Sequence, residues 1–247
     1  MKGMKVTSTS VYRKAVVAVC AAIVLTGCSI FGGGQKDPAT SESPAPSGTP
    51  KTSTTVSENA ISPDTANSLI VPKDDVGELI GSTLGYEGKS SDPQSSTVEG
   101  KESCRALLVP LTTDIGSTWT TYRNVWYQES KETYDHSIGQ RVLLYPAKDA
   151  AAETYSKEFP VTVRECSGED IKTDTATWRV TVREASQDRV QWVLEQIEDG
   201  QPNGWRCNKA ARIIDNVLFS ATVCQRGNGV PAMKAIMDRM AAATQPK

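Results

Sequence analysis

The stretch that decides the fold is Trp205-Arg206-Cys207-Asn208-Lys209-Ala210-Ala211-Arg212-Ile213-Ile214-Asp215-Asn216-Val217-Leu218-Phe219-Ser220-Ala221-Thr222-Val223-Cys224-Gln225. Two strand-like runs, 205–214 and 217–225, flank Asp215-Asn216, a pair that tolerates the positive φ of a tight hairpin loop. With those two residues as the loop, Ile214 stands opposite Val217, and seven steps outward bring Cys207 opposite Cys224. Ile214/Val217 is the hydrogen-bonded pair beside the turn. Alternation makes Cys207/Cys224 a non-hydrogen-bonded pair, where Cα atoms come closest, about 4.5 Å. That separation admits a disulfide.

A disulfide needs an oxidising compartment, and the N-terminus supplies the route to one. Lys2, Lys5, Arg13 and Lys14 precede the apolar run Ala15–Leu25, which is too short for a permanent membrane span and reads as a secretory signal. The run closes in Leu25-Thr26-Gly27-Cys28, which resembles a bacterial lipobox, where the cysteine thiol receives a diacylglycerol before cleavage. Residues 1–27 are therefore expected to be a lipoprotein signal peptide. Cys28 is expected to be the lipidated first residue of the mature chain, holding it by palmitate-class acyl chains to the extracytoplasmic face of the cell membrane. Two acyl chains anchor stably where one is marginal.

Cys20 leaves with the signal, so Cys104, Cys166, Cys207 and Cys224 remain in an exported domain. Four such cysteines read as two disulfides with three possible connectivities. The hairpin selects Cys207–Cys224, and Cys104–Cys166 follows by elimination. On the chain-entropy model the first bond stabilises by roughly 3 kcal/mol and the second by roughly 4.

Composition removes several function classes. The 247 residues carry 27 Lys+Arg against 29 Asp+Glu; loss of residues 1–27 removes four basic residues and no acidic one. A net negative surface is a poor partner for nucleic acid. The single histidine, His136, leaves paired-histidine metal motifs without a partner and is expected in a surface turn. Ser82, Ser117 and Ser220 lack the G-x-S-x-G context of a nucleophile elbow. Glu165, Glu169 and Asp170 lack the ordered calcium-loop pattern and read as a solvated acidic loop. No metal, cofactor or catalytic residue is expected.

Residues 28–64 hold the lipidated terminus and a Gly/Ser/Thr/Pro tether with little to bury, expected to be disordered and to span roughly 30 Å. The folded domain is expected over 65–247, with a helix at Lys73–Ile80 and a hairpin of Trp126–Thr133 with Ile138–Tyr145 turning at His136-Ser137. An alanine-rich helix from Ala147 is limited by Pro160. Strands follow at Thr177–Glu184, Val190–Ile197 and the two quoted above, and an amphipathic helix at Val230–Ala243 carries Met233, Ile236, Met237 and Met240. The tally is α+β: an antiparallel sheet of five or six strands with helices packed on it and two disulfides.

The order of these features resembles the PknH-like extracellular sensor domain. The resemblance rests on Leu69-Ile70-Val71-Pro72 leading into a helix with Leu79-Ile80-Gly81; on Cys104 and Cys166 around the hairpin and Ala-rich helix; and on Gly204-Trp205-Arg206-Cys207, Asn216-Val217 and Cys224. It implies an antiparallel sheet with helices, one long and one short disulfide span, and a cleft for a ligand. The sequence carries no kinase domain, so any signalling is expected to need a separate partner. The expected function is a lipid-anchored, non-catalytic domain that binds a small molecule, lipid or envelope glycan, with Trp119, Trp126, Trp178 and Trp192 as candidate ligand-facing residues. The alternative is a structural or accessory protein docking to another envelope protein.

Overall fold

The computed structural model describes residues 60–93, 98–108 and 116–245. The signal segment, Cys20, Cys28 and the tether up to residue 59 lie outside the described residues. The strands are β1 Tyr86–Ser90, β2 Thr121–Gln128, β3 His136–Leu144, β4 Asp170–Lys172, β5 Thr177–Ala185, β6 Arg189–Glu198, β7 Gln201–Ile214 and β8 Val217–Arg226. They form one 8-stranded sheet in the order β1-β2-β3-β8-β7-β6-β5-β4, and every neighbouring pair is antiparallel. Among the described residues three α-helices, α1 Lys73–Ile80, α2 Lys148–Glu165 and α3 Val230–Ala243, cover it together with 3-10 turns at Pro63–Leu69 and Glu102–Leu107.

The β7–β8 hairpin lies at the centre of the sheet. Cys207 pairs with Cys224 across it, and the two are bonded with Cα atoms 3.9 Å apart, closer than the ideal pair distance. Cys104 and Cys166 form the second bond, tying the Glu102–Leu107 turn to the end of α2. Of the two turn residues, Asp215 takes the positive φ, 49°. Asn216 does something else. Its side chain is buried and binds Ile61 and Tyr145, clipping the entering chain to the turn.

Alternation along β8 sets the two faces. Val217, Phe219, Ala221 and Val223 join a core with Leu69, Val76, Ile236 and Met240, from the elements that cover the first face. Leu218 and Cys224 point to the second face and join a core with Tyr155, Phe159 and Val163 of α2 and Leu107 of the second 3-10 turn. Helices on both faces thus enclose the sheet in three layers.

Three expectations are corrected. The sheet has eight strands instead of five or six, because β1 and β4 are short edge strands of 5 and 3 residues with charged side chains and little apolar alternation. The β2–β3 turn lies at residues 129–135 and not at His136-Ser137. Glu129 accepts from the His136 backbone N–H and holds its ring Nδ1, while Ser130 Oγ binds both the N–H and the carbonyl of Thr133 within the loop. His136 therefore opens β3 instead of sitting in the turn. Finally, α2 runs through Pro160 without stopping. An interior proline costs about 3 kcal/mol, and here Tyr155, Phe159 and Val163, 1%, 6% and 0% exposed, pack the helix onto the sheet and offset that cost.

Candidate functional site

The first face of β8 is apolar from Val217 to Val223, but the second is not. After Leu218 the second-face positions of β8 are Ser220 and Thr222, and the neighbouring strands answer with further polar groups. Arg141 of β3 is opposite Ser220, and Lys209 of β7 is opposite Thr222. Four polar side chains on three adjacent central strands therefore form a floor, and α2 lies over it. Between them is a small pocket of about 30 Å³ walled by Tyr122, Leu143, Tyr155, Phe159, Trp192 and Leu218, room for about two waters.

Lys209 is 5% exposed. Its Nζ donates to the Leu107 carbonyl at 2.8 Å and the Leu108 carbonyl at 2.6 Å and lies 5.6 Å from the centroid of the Trp192 ring, a cation–π distance. Trp192 Nε1 donates to the same Leu107 carbonyl. Burial pushes the Lys209 amine well below the usual lysine range, and the nearby Arg141 cation adds to this. Arg141 in turn lies beside the Tyr122 hydroxyl, whose pKa burial raises and Arg141 partly restores. The Arg141 Nε is buried without a hydrogen-bond partner. Among the described residues neither Lys209 nor Arg141 has a carboxylate within ion-pair distance. Two buried or half-buried basic groups without a counter-charge among the described residues are costly.

A larger opening, about 660 Å³, lies between the first 3-10 turn and β1–β2, but its charges are satisfied within it. Arg123 is bound by Asn67 and the Tyr122 carbonyl, and Lys89 pairs with Glu87. It is an open groove whose charged groups need no ligand.

The structure places the four candidate tryptophans apart. Trp192 lines the pocket. Trp119 packs on the pocket residue Tyr122 at 5.9 Å between ring centroids, with its Nε1 buried and unpartnered. Trp126 is opposite Gly139 and lies over Gly88 on β1, where an added Cβ would come within 2.1 Å of its ring. Trp178 packs against the second core near the β4 edge. Asp170 of the acidic loop is taken by Arg179 through two 2.9 Å bonds. Ser220 lines the pocket, but the chain's one histidine is held by Glu129 at the start of β3, so no histidine stands beside it as a base.

The family model described as the PknH-like extracellular domain matches residues 61–243. The chain belongs to that family. The crystal structure of the extracellular domain of PknH from Mycobacterium tuberculosis superposes with a TM-score of 0.63 at 19% identity, covering 75% of this chain and 97% of that one. Among curated proteins, the serine/threonine-protein kinase PknH of Mycobacterium bovis is 21% identical over 169 residues, 64% of this chain and 27% of the kinase. The PknH of Mycobacterium tuberculosis is likewise 21% identical, over 64% of this chain and 26% of the kinase. The chain thus spans about a quarter of the length of these relatives. The likeness is to the extracellular domain of a kinase and not to its catalytic domain, so this PknH-like domain is extracytoplasmic.

Sequence reasoning missed Lys209, Arg141, Thr222, Tyr155 and Phe159. A signal for Lys209 existed. Second-face positions of β7 read Cys207, Lys209, Ala211, Ile213, and a lysine inside a central strand's buried row marks either a buried ion pair or a site.

Proposed function

We propose that this chain is a lipid-anchored, non-catalytic extracytoplasmic domain that binds a small molecule, lipid or envelope glycan in a cleft, with the small pocket between α2 and the sheet as its polar anchor point. The observation that supports it is the pair of cations, Lys209 and Arg141, facing a mostly apolar enclosure without a carboxylate partner among the described residues. Ligand sites combine such apolar walls with a few placed polar groups. The anchor is Cys28, and its acyl chains hold the domain at the membrane.

Native mass spectrometry of the chain incubated with envelope lipid and glycan extract tests the binding. A reproducible adduct of defined mass is expected, and a bare mass with the fold intact would overturn it in favour of a protein partner. Cys28→Ser tests the anchor: the variant should leave the membrane fraction and fail to incorporate labelled palmitate, and a variant that stays membrane-bound would refute lipidation there.

A further inference from the structure

The sheet has two edges, and they are finished differently. Outside β4, Glu99 forms a bridge to Lys172 by two backbone hydrogen bonds, which caps that edge. Outside β1, no described residue pairs with Tyr86–Ser90, and the backbone donors and acceptors left there are a template for another strand. Natural edges are commonly blunted by charge. Here the charges are Glu87 and Lys89, one on each side of Gly88, paired with each other at 2.8 Å and 35% and 68% exposed.

That order is self-complementary. With a second copy of β1 antiparallel to the first and a two-fold axis at Gly88, Glu87 stands opposite the partner's Lys89, Lys89 opposite the partner's Glu87, and Tyr86 opposite the partner's Ser90. Opposite charges facing each other across strands attract, and like charges there are destabilising. Sliding the pairing by two residues in either direction sets Glu87 against the partner's Glu87 or Lys89 against the partner's Lys89, so the charges that repel a misplaced strand select this one register. A separate observation lies on the other face of the same strand. Trp126 is half-buried and belongs to neither core, and its ring lies over Gly88 so closely that no Cβ fits between them. In the two-fold pair the two Gly88 residues are one strand spacing apart, about 5 Å, so the two indoles meet across the axis and cover what each alone leaves exposed.

We propose that β1 is a self-association edge, through which a second copy of this chain joins the sheet antiparallel about Gly88. The inference is independent of the pocket between α2 and the sheet. A five-residue strand pair is at the small, transient end of protein interfaces, so it acts where the proposed anchor holds copies on one membrane surface and raises their effective concentration.

The test is disulfide capture in the envelope of cells making two differently tagged full-length copies, Tyr86→Cys on one and Ser90→Cys on the other. Opposite Cα atoms about 4.5–5.5 Å apart accept a disulfide. Two copies with the same substitution place their new thiols four residues apart along the strand, about 13 Å, beyond reach. The mixed pair should therefore give linked dimer at least about tenfold above either variant alone. Adding Glu87→Lys to both copies, or Lys89→Glu to both, should cut the yield about fivefold or more, and Glu87→Lys on one copy with Lys89→Glu on the other should restore it to within about twofold. Because the restoring mixture contains the same two charge changes that fail alone, a folding defect does not mimic this pattern. Equal linkage by either cysteine variant alone, yields indifferent to the charge changes, or no linked dimer would each overturn the assignment. Linkage to an unrelated protein in place of the second copy would overturn it in favour of a foreign extended segment.

Discussion

Asn216 is the residue whose replacement best tests how the domain is closed. It is 2% exposed. Its Nδ2 donates to the Ile61 carbonyl at 3.1 Å and the Tyr145 carbonyl at 2.9 Å, and its Oδ1 accepts from the Ile61 N–H at 2.9 Å. Asn216→Ala removes all three. At about 1 kcal/mol each, the loss is about 3 kcal/mol. The Ile61 groups are partly exposed and recover water, whereas the bond to the Tyr145 carbonyl is buried, so that contact carries the larger share. For a domain of this size the change lowers Tm by about 6–12 °C. Asn216→Asp keeps the acceptor for Ile61 but turns a carboxylate oxygen toward two carbonyls, and it should be at least as damaging. Urea denaturation followed by tryptophan fluorescence measures the difference, and hydrogen exchange at the Ile61 amide locates it. An alanine variant within about 0.5 kcal/mol of the parent, or a tolerated aspartate, would refute the clip and return Asn216 to the role of an ordinary turn residue.

Three further outcomes are expected. Cys224→Ser opens the Cys207–Cys224 bond and should lower unfolding free energy by roughly 3 kcal/mol, and an unchanged denaturation midpoint would count against a stabilising role for that bond. Burial opposes the charge on Glu129, but hydrogen bonds from His136, Ser82 and the backbone prevail and hold its pKa at about 2, below the ordinary 4.5. Its contribution is therefore full above about pH 4.5 and is lost as pH falls toward 2. With the side chain 25% exposed, screening reduces this to about 1–2 kcal/mol. Glu129→Gln should flatten that acid limb, and a variant with the parent's pH profile would refute it. Gly88→Ala sets a Cβ 2.1 Å from the Trp126 ring and should displace the indole at a cost of about 1–3 kcal/mol. Adding Trp126→Ala should recover most of that, and non-recovery would show that Gly88 acts through its backbone instead.

How much of the fold and the site was legible in the sequence divides along a physical line. The β7–β8 hairpin was legible because its evidence is local: a two-residue loop fixes register, and register fixes which cysteines meet. The same logic applies to Asp199-Gly200, which takes φ of 51° and 77° between β6 and β7, and an expectation that begins the strand at Trp205 overlooks it. The edge strands β1 and β4 have no such local mark, since their pairing is supplied by β2 and β5 and not by their own alternation. Pro160 misleads for the same reason in reverse, a local rule overridden by the packing of Phe159 and Val163 against strands far away in sequence. The site is only partly written in local evidence: the hairpin register sets Lys209 opposite Thr222 with Ser220 two residues away. Arg141 joins them only through the β3–β8–β7 order, which sets a strand from the middle of the chain directly against its final hairpin. The tryptophans drew attention because they are large, and size predicts core membership better than ligand contact. What distinguishes the pocket is a cation where alternation calls for an apolar side chain, and that mark becomes visible only once the face to which each strand residue belongs is known.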